Sequence, residues 1–304
     1  MRAKTIKSIL QKKHNDFVAS IEDENVRKLV DENSIVTGGS IVSMLLGEKI
    51  NDFDYYFTDR ETALAVTNYY VSKFKELNPE QDVKVVVEES GRIRVWIQSQ
   101  GIAGEDNPDG YEYFEMNPNP SNAENYVDGA MAILNKDAEA SAEEKPRYRP
   151  IFLTSNAITL SDKIQLIIRF YGTPEEIHSN YDFVHCTCYW TSKDGELVLP
   201  NEALQAILAR ELVYKGSKYP IASVIRTRKF IQRGWVINAG QYLKMCMQIG
   251  DLNLTVPEVL EDQLTGVDLA YFQQIINYLK ERKDKDENFE ITAAYIIEIV
   301  DRLF

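Results

Sequence analysis

Hydrophobic positions divide the chain into segments of different period. Ile6, Ile9, Leu10, Phe17 and Ile21 fall at helical spacing, so residues 3–21 are predicted as a helix, with a second short one over 23–31. Residues 34–36 form a brief apolar run that stops at Thr37-Gly38-Gly39-Ser40, the pattern of a strand ending in a tight turn. Ile41, Met44 and Leu45 then make a helical stripe that Gly47 is placed to terminate. Residues 53–57 are aromatic and read as a strand, and 60–77 as a helix. Two β-rich runs, 83–88 and 92–98, flank Ser90-Gly91 and predict a hairpin.

Regular patterning lapses over 100–149, where Gly, Asn, Pro, Ala and Glu dominate; this stretch reads as an insertion, with a strand over 111–116 and a helix over 121–134. Apolar order resumes at 151–153. A helix capped by Ser161 is predicted over 161–170 and a strand over 181–191. From Asn201 onward the pattern is almost wholly helical. The expected architecture is α+β: a mixed-sheet head over 1–195 with helices on one face, interrupted by the insertion, then an all-helical region over 196–304.

Composition changes this picture little, but charge does. The net charge of −13 argues against a surface built for wholesale phosphate contact. It is unevenly spread: residues 101–145 hold eleven acids against Lys136 and Lys145. Residues 210–233 reverse the balance, with seven bases against Glu211, and the first fourteen residues carry five bases and no acid. Two basic patches therefore survive inside an acidic average. Three cysteines form no disulfide framework, no apolar stretch approaches a bilayer span, and the N-terminus lacks a signal-peptide core, so a reducing cytoplasmic setting is expected.

The chemistry centres on Gly38-Gly39-Ser40, eleven residues, then Asp52-Phe53-Asp54. Alternation along a strand puts Asp52 and Asp54 on one face and Phe53 on the other. Two adjacent carboxylates repel unless a cation lies between them, and an oxygen-only pair suits Mg²⁺ (or Mn²⁺) shared with substrate phosphates. Glycines let backbone N–H groups approach a phosphate, the following helix turns its positive end to the same place, and Ser40 adds a donor. Cys186, Cys188, His178 and His185 do not have structural-zinc spacing and read as sheet core. Neither a P-loop nor a Gly-x-Ser-x-Gly elbow is present.

The run VTGGSIVSMLLGEKINDFDYYF resembles the signature of the DNA polymerase β-type nucleotidyltransferases, above all the heads of tRNA nucleotidyltransferases and poly(A) polymerases. More loosely, FLTSNAITLSDKIQLIIRF and YDFVHCTCYW look like stretches of nucleotidyltransferase-like proteins of large tailed phages. The resemblance implies a mixed-sheet catalytic head, Mg²⁺ and a nucleoside triphosphate donor. It also implies a third carboxylate on a later strand, for which Asp182 is the candidate as metal ligand or proton acceptor, with Glu88 or Glu89 behind it. Arg226 and Lys229, with Arg233, share a helix face in the basic patch and are assigned by position alone to the triphosphate or base.

The resulting expectation is Mg²⁺-dependent transfer of NMP from an NTP to an acceptor hydroxyl, an RNA 3′ end being favoured, with release of pyrophosphate. The catalytic residues would be Asp52, Asp54 and Asp182, and the nucleotide-binding ones Gly38, Gly39, Ser40, Arg226 and Lys229. The alternatives are transfer to a protein or small molecule, and a catalytically inactive binding or regulatory protein that keeps the fold. The setting would be cytoplasmic, that of the host if the chain is phage-encoded, with no membrane partner.

Overall fold

In a computed structural model, residues 1–79, 82–97, 146–154 and 156–254 are described, together with positions 256, 259 and 263. The insertion, including the strand and helix expected at 111–116 and 121–134, and most of the chain after 254 lie outside the described residues. The described residues form two compact units that part between Ala209 and Arg210.

The first unit opens with α1 (Ala3–Ala19) and α2 (Glu24–Asn33). Helix α1 buries Ile6, Leu10, His14 and Phe17, one stripe at three- and four-residue spacing. Asp23 caps α2 by accepting from the backbone N–H groups of Asn25 and Val26. Strand β1 (Ser34–Thr37) leads into α3 (Gly39–Leu46), which ends at the left-handed Gly47. Strand β2 (Phe53–Phe57) and α4 (Arg60–Leu77) follow, the latter capped by Asp59. Strands β3 (Val83–Val87) and β4 (Ile93–Ile97) make a separate antiparallel hairpin.

The main sheet has seven strands in the order β5-β6-β7-β2-β1-β8-β9, with β5 at Pro150–Leu153, β6 at Ala157–Leu160, β7 at Ile164–Tyr171, β8 at Tyr189–Thr191 and β9 at Leu197–Val198. It is mixed: β2 runs parallel to β7, and every other pair is antiparallel. Helix α4 packs on β2, β5 and β7. Under it, Phe17 meets Tyr55 and Tyr148 edge-on at ring separations of 5.2 and 5.6 Å. The opposite face of β2 carries Tyr56, which packs with Ile35 and Ile177; the last belongs to α5 (Pro174–His178), a short helix opened by a Thr173–Glu176 capping box.

Two sequence expectations are overturned here. Residues 161–170 are not a helix: Ser161 belongs to a tight turn, and 164–170 lie within β7, with Ile164, Leu166 and Ile168 all buried. Beside these, Ile167 and Phe170 pack against Ile35, Tyr56 and Ile177, so apolar residues serve both faces of the strand and the two-residue alternation is blurred into a run. Arg169 therefore complements no helix dipole; it sits on β7, stacked on Phe170 at 5.4 Å. Residues 181–191 are not one strand either. They comprise a bend at Asp182, a 3₁₀ turn (Val184–Thr187) and the three residues of β8. Helix α6 (Asn201–Ala209) packs on that 3₁₀ turn and completes the unit.

The second unit contains α7 (Pro220–Gln232) and α8 (Ala239–Gly250), packed on each other, with a parallel bridge between Glu211 and Val236. Its core includes Leu212, Tyr214, Ala222, Trp235 and Met245. The protein is thus an α+β fold built on a seven-stranded mixed sheet and followed by a helical C-terminal region.

Candidate active site

Antiparallel pairing of β1 with β2 places Thr37 opposite Asp54. The next residue, Gly38, has φ +87° and ψ −145°, a backbone conformation that side chains exclude. This bend redirects the chain into α3, and it does so directly against the carboxylate. A Cβ built on Gly38 would lie 3.1 Å from Asp54 Oδ2 and 3.7 Å from the Tyr181 hydroxyl oxygen. The glycine bend, Asp54 and Tyr181 therefore border one small space. At Gly39, a Cβ would meet nothing within 4 Å, so its outer side faces open room. Ser40, in the first turn of α3, is 2% exposed, and its hydroxyl finds no hydrogen-bond partner among the described residues.

Asp54 is half-buried, held between Thr37 on one side and Gln165 of β7 on the other. Asp52, also half-buried, stands immediately before the strand. Between them Phe53 is turned inward, with the Lys13 ammonium 5.5 Å above its ring. The approach to Asp52 is tethered: Lys163 Nζ donates to the Ile50 carbonyl at 3.2 Å, and the Phe53 N–H donates to the Lys163 carbonyl at 2.8 Å. Asp162 and Lys163, in the three-residue turn 161–163 between β6 and β7, have φ of 60° and 63°, two consecutive left-handed residues. Lys13 donates to the Asp162 carbonyl, and burial lowers its pKa to about 8.

The other wall is built from α5 and the segment after it. His178 Nε2 lies 2.8 Å from Thr37 Oγ1, whose own proton goes to the Cys188 carbonyl at 2.9 Å. Because that hydroxyl has one proton, His178 must donate, which fixes hydrogen on Nε2. The Tyr181 ring rests on His178 at 5.0 Å and beside Tyr56 at 6.1 Å. Burial pushes the Tyr181 phenol well above its ordinary range, and the neighbouring Tyr56 and Asp54 push the same way. Near neutral pH it is a neutral phenol.

The remaining expected residues are placed as follows. Asp182 is 5% exposed, on the bend rather than at the start of a strand. Glu88 pairs with Arg94 at 3.1 Å in the β3–β4 hairpin, and that bond holds its carboxyl below the usual range; Glu89 is exposed in the same turn. Arg226 (half-buried) and Lys229 (exposed) lie on α7 in the second unit, where Arg233 follows the helix instead of continuing its face. Cys186, Cys188 and Cys246 are free thiols; burial pushes the Cys188 thiol up to about 12, which makes it inert. Among the described residues no group of three or more His, Cys, Asp and Glu side chains is arranged to hold a metal ion, and no helix is long and apolar enough to cross a membrane. Tyr181 and His178 carry no local sequence signal for a place in this site. Only the fold, across more than a hundred residues, brings them to Thr37 and Gly38.

An α+β protein whose central strand sets a carboxylate against a glycine bend at a helix start is the class that fold and site define. The chain belongs to the Gabija anti-defense 2 family, whose model matches residues 8–210. It is 27% identical over 135 residues to "Gabija anti-defense 2" of Bacillus phage SPbetaL7; the match covers 43% of this chain and 32% of that protein, so it spans about a third of the relative's length. Among solved structures, the chain is similar to the Thermotoga maritima CCA-adding enzyme complexed with tRNA (12% identity, TM-score 0.39, 92% of this chain and 57% of that one). It is also similar to an apo CCA-adding enzyme (12%, 0.42, 96% and 57%) and to the Bacillus stearothermophilus CCA-adding enzyme in complex with CTP (10%, 0.37, 92% and 48%).

Proposed function

We propose that the first unit is the catalytic head of a divalent-metal-dependent nucleotidyltransferase that a phage uses against a host defence. The observation that carries this reading is the approach of Asp54 Oδ2 to within 3.1 Å of where a Gly38 Cβ would lie, which brings a carboxylate and a bend free of side chain to one point. Asp52 and Asp54 would hold Mg²⁺. The donor set fits that ion: two hard oxygen ligands on neighbouring positions, half-exposed, with the remaining coordination left to water and phosphate. When bound, Mg²⁺ would neutralise the triphosphate and stabilise the departing pyrophosphate.

The chain's own residues do the rest. Gly38 and Gly39 let the phosphates approach the backbone, the N-terminus of α3 favours their charge, and the Ser40 hydroxyl offers a donor. An acceptor oxygen attacks the α-phosphorus, the bond to the bridging oxygen breaks, and pyrophosphate leaves. The acceptor's proton passes to a carboxylate, for which Asp182 remains the proposed residue.

The acceptor read from the sequence alone is an RNA 3′ end. The family's name favours a hydroxyl on a component of the Gabija defence instead. The test is incubation with each labelled NTP, Mg²⁺, host RNA and extract from cells carrying that defence. Separation of RNA, protein and small molecules then reveals where label resides. Label that appears in no fraction, or persists undiminished in Asp54→Asn, defeats the catalytic reading. A second reading, a counter-defence binding protein that turns nothing over, is favoured by the same family name, which speaks of counteraction and of no transfer. It gains if Asp54→Asn leaves protection of phage intact.

A further inference from the structure

Three observations converge on Tyr181. Its hydroxyl oxygen lies 3.7 Å from the point a Gly38 Cβ would occupy, the same point that Asp54 Oδ2 approaches to 3.1 Å. Its ring lies 5.0 Å from that of His178 and 6.1 Å from that of Tyr56, and it packs against the cluster of Ile35, Tyr56 and Ile177. Tyr56 follows Asp54 by two residues on β2, so both belong to one face of the strand, and Tyr181 closes that face. The phenol is thus positioned by packing on two elements, β2 and α5, and directed to the mouth of the glycine bend.

A rigid phenol in that position has two chemical options. As a nucleophile or base it would have to lose a proton that a phenol ordinarily keeps up to about pH 10. As a donor it needs only an acceptor stronger than the neutral Thr37 and Tyr56 hydroxyls within its reach, and a charged oxygen is one. We propose that Tyr181 is a ligand-binding residue whose hydroxyl donates a hydrogen bond to an oxygen of an oligophosphate chain seated on the Gly38–Gly39 bend. This rests on the reading of that bend as a phosphate cradle and names a contact which that reading lacks. A neutral donor also differs in kind from another acid: it adds no negative charge to a site that must admit a polyanion, so its contribution does not require a divalent cation.

The test is calorimetric titration of the full chain with inorganic tripolyphosphate, once in Mg²⁺ and once in EDTA. Tyr181→Phe keeps the ring contacts and removes only the hydroxyl; Tyr242→Phe, on α8, serves as control. A hydrogen bond to a charged acceptor predicts a Kd roughly tenfold or more weaker in Tyr181→Phe under both conditions, with Tm unchanged. Equal affinities in wild type and Tyr181→Phe overturn the proposal, and so does a wild type that binds no tripolyphosphate in either buffer. A loss confined to the Mg²⁺ titration overturns the cation-independent part. Should wild type bind tripolyphosphate yet incorporate no label from any NTP, nucleotidyl transfer fails while the Tyr181 contact stands.

Discussion

His178 and Thr37 meet at 2.8 Å although 141 residues separate them, and the geometry allows one direction of donation, from the imidazole Nε2–H to the threonine oxygen. The bond lies one residue before the bend, on the last pair of the β1–β2 ladder. It ties α5 to the strand that positions Gly38. Removing the imidazole by His178→Ala leaves Thr37 without its donor and opens a gap under Tyr181, so a loss of about 1–3 kcal/mol is expected. Chemical denaturation measures it. His178→Gln, which keeps an N–H of similar reach, should recover part of that loss; a His178→Ala protein as stable as wild type would show that the bond is dispensable.

The two adjacent glycines make opposite predictions. Gly38→Ala forces a side chain into φ +87° against the Asp54 carboxylate, at a cost of about 1–3 kcal/mol. Gly39→Ala meets nothing and lies in the first turn of α3, so stability should hold or rise by up to about 1 kcal/mol. If the open side of Gly39 receives phosphate, the same methyl should weaken NTP binding several-fold. Thermal unfolding and nucleotide titration on both variants separate the effects, and an unstable Gly39→Ala would contradict the free space seen there.

Asp54→Asn preserves shape while discarding the charge. Incorporation of labelled nucleotide should fall by about a hundredfold or more, since outer partners of a metal site alone account for 10- to 100-fold. Cooperative unfolding should persist. Activity that survives this exchange would take Asp54 out of the reaction.

Lys13 supplies a pH dependence. Burial lowers its folded pKa to about 8 from an ordinary 10.5. Below pH 8 the amine is charged in both states, and folding bears the full cost of burying that charge. Between about 8 and 10.5 the unfolded chain binds more protons than the folded one, so this group makes stability rise with pH. Wild type should therefore gain on Lys13→Met across that window, read as the difference between their denaturation midpoints at pH 7 and pH 10. A difference that stays flat would mean that the amine is well solvated.

Much of the first unit was legible in the sequence because its periods are clean. Helix α4 has the residues expected, 60–77, and the β3–β4 hairpin flanks Ser90-Gly91 as anticipated. The bend at Gly38 and the terminator at Gly47 follow from what only glycine tolerates. Strand β7 was illegible for a physical reason: with apolar neighbours on both faces, Ile164-Gln165-Leu166-Ile167-Ile168 satisfies a helical stripe as well as a strand. The segment after α5 misled differently. Asp182 has the local pattern of an acid before an apolar run, whereas Tyr181 beside it approaches Gly38, a contact that arises in three dimensions and leaves no local pattern.

The ordering of strands has a temporal consequence. Strand β2 receives its second neighbour from residues 164–171, and β1 receives its own from 189–191. As the polypeptide emerges from the ribosome, the bend and the aspartates are made early, yet both strands that carry them keep a bare edge until more than half of the 304 residues have been joined. Such distant pairings slow folding, and unsatisfied edges invite association with other chains. Nascent fragments ending before residue 164 should therefore need chaperone protection, and the region around Asp54 should be among the last to acquire resistance to hydrogen exchange.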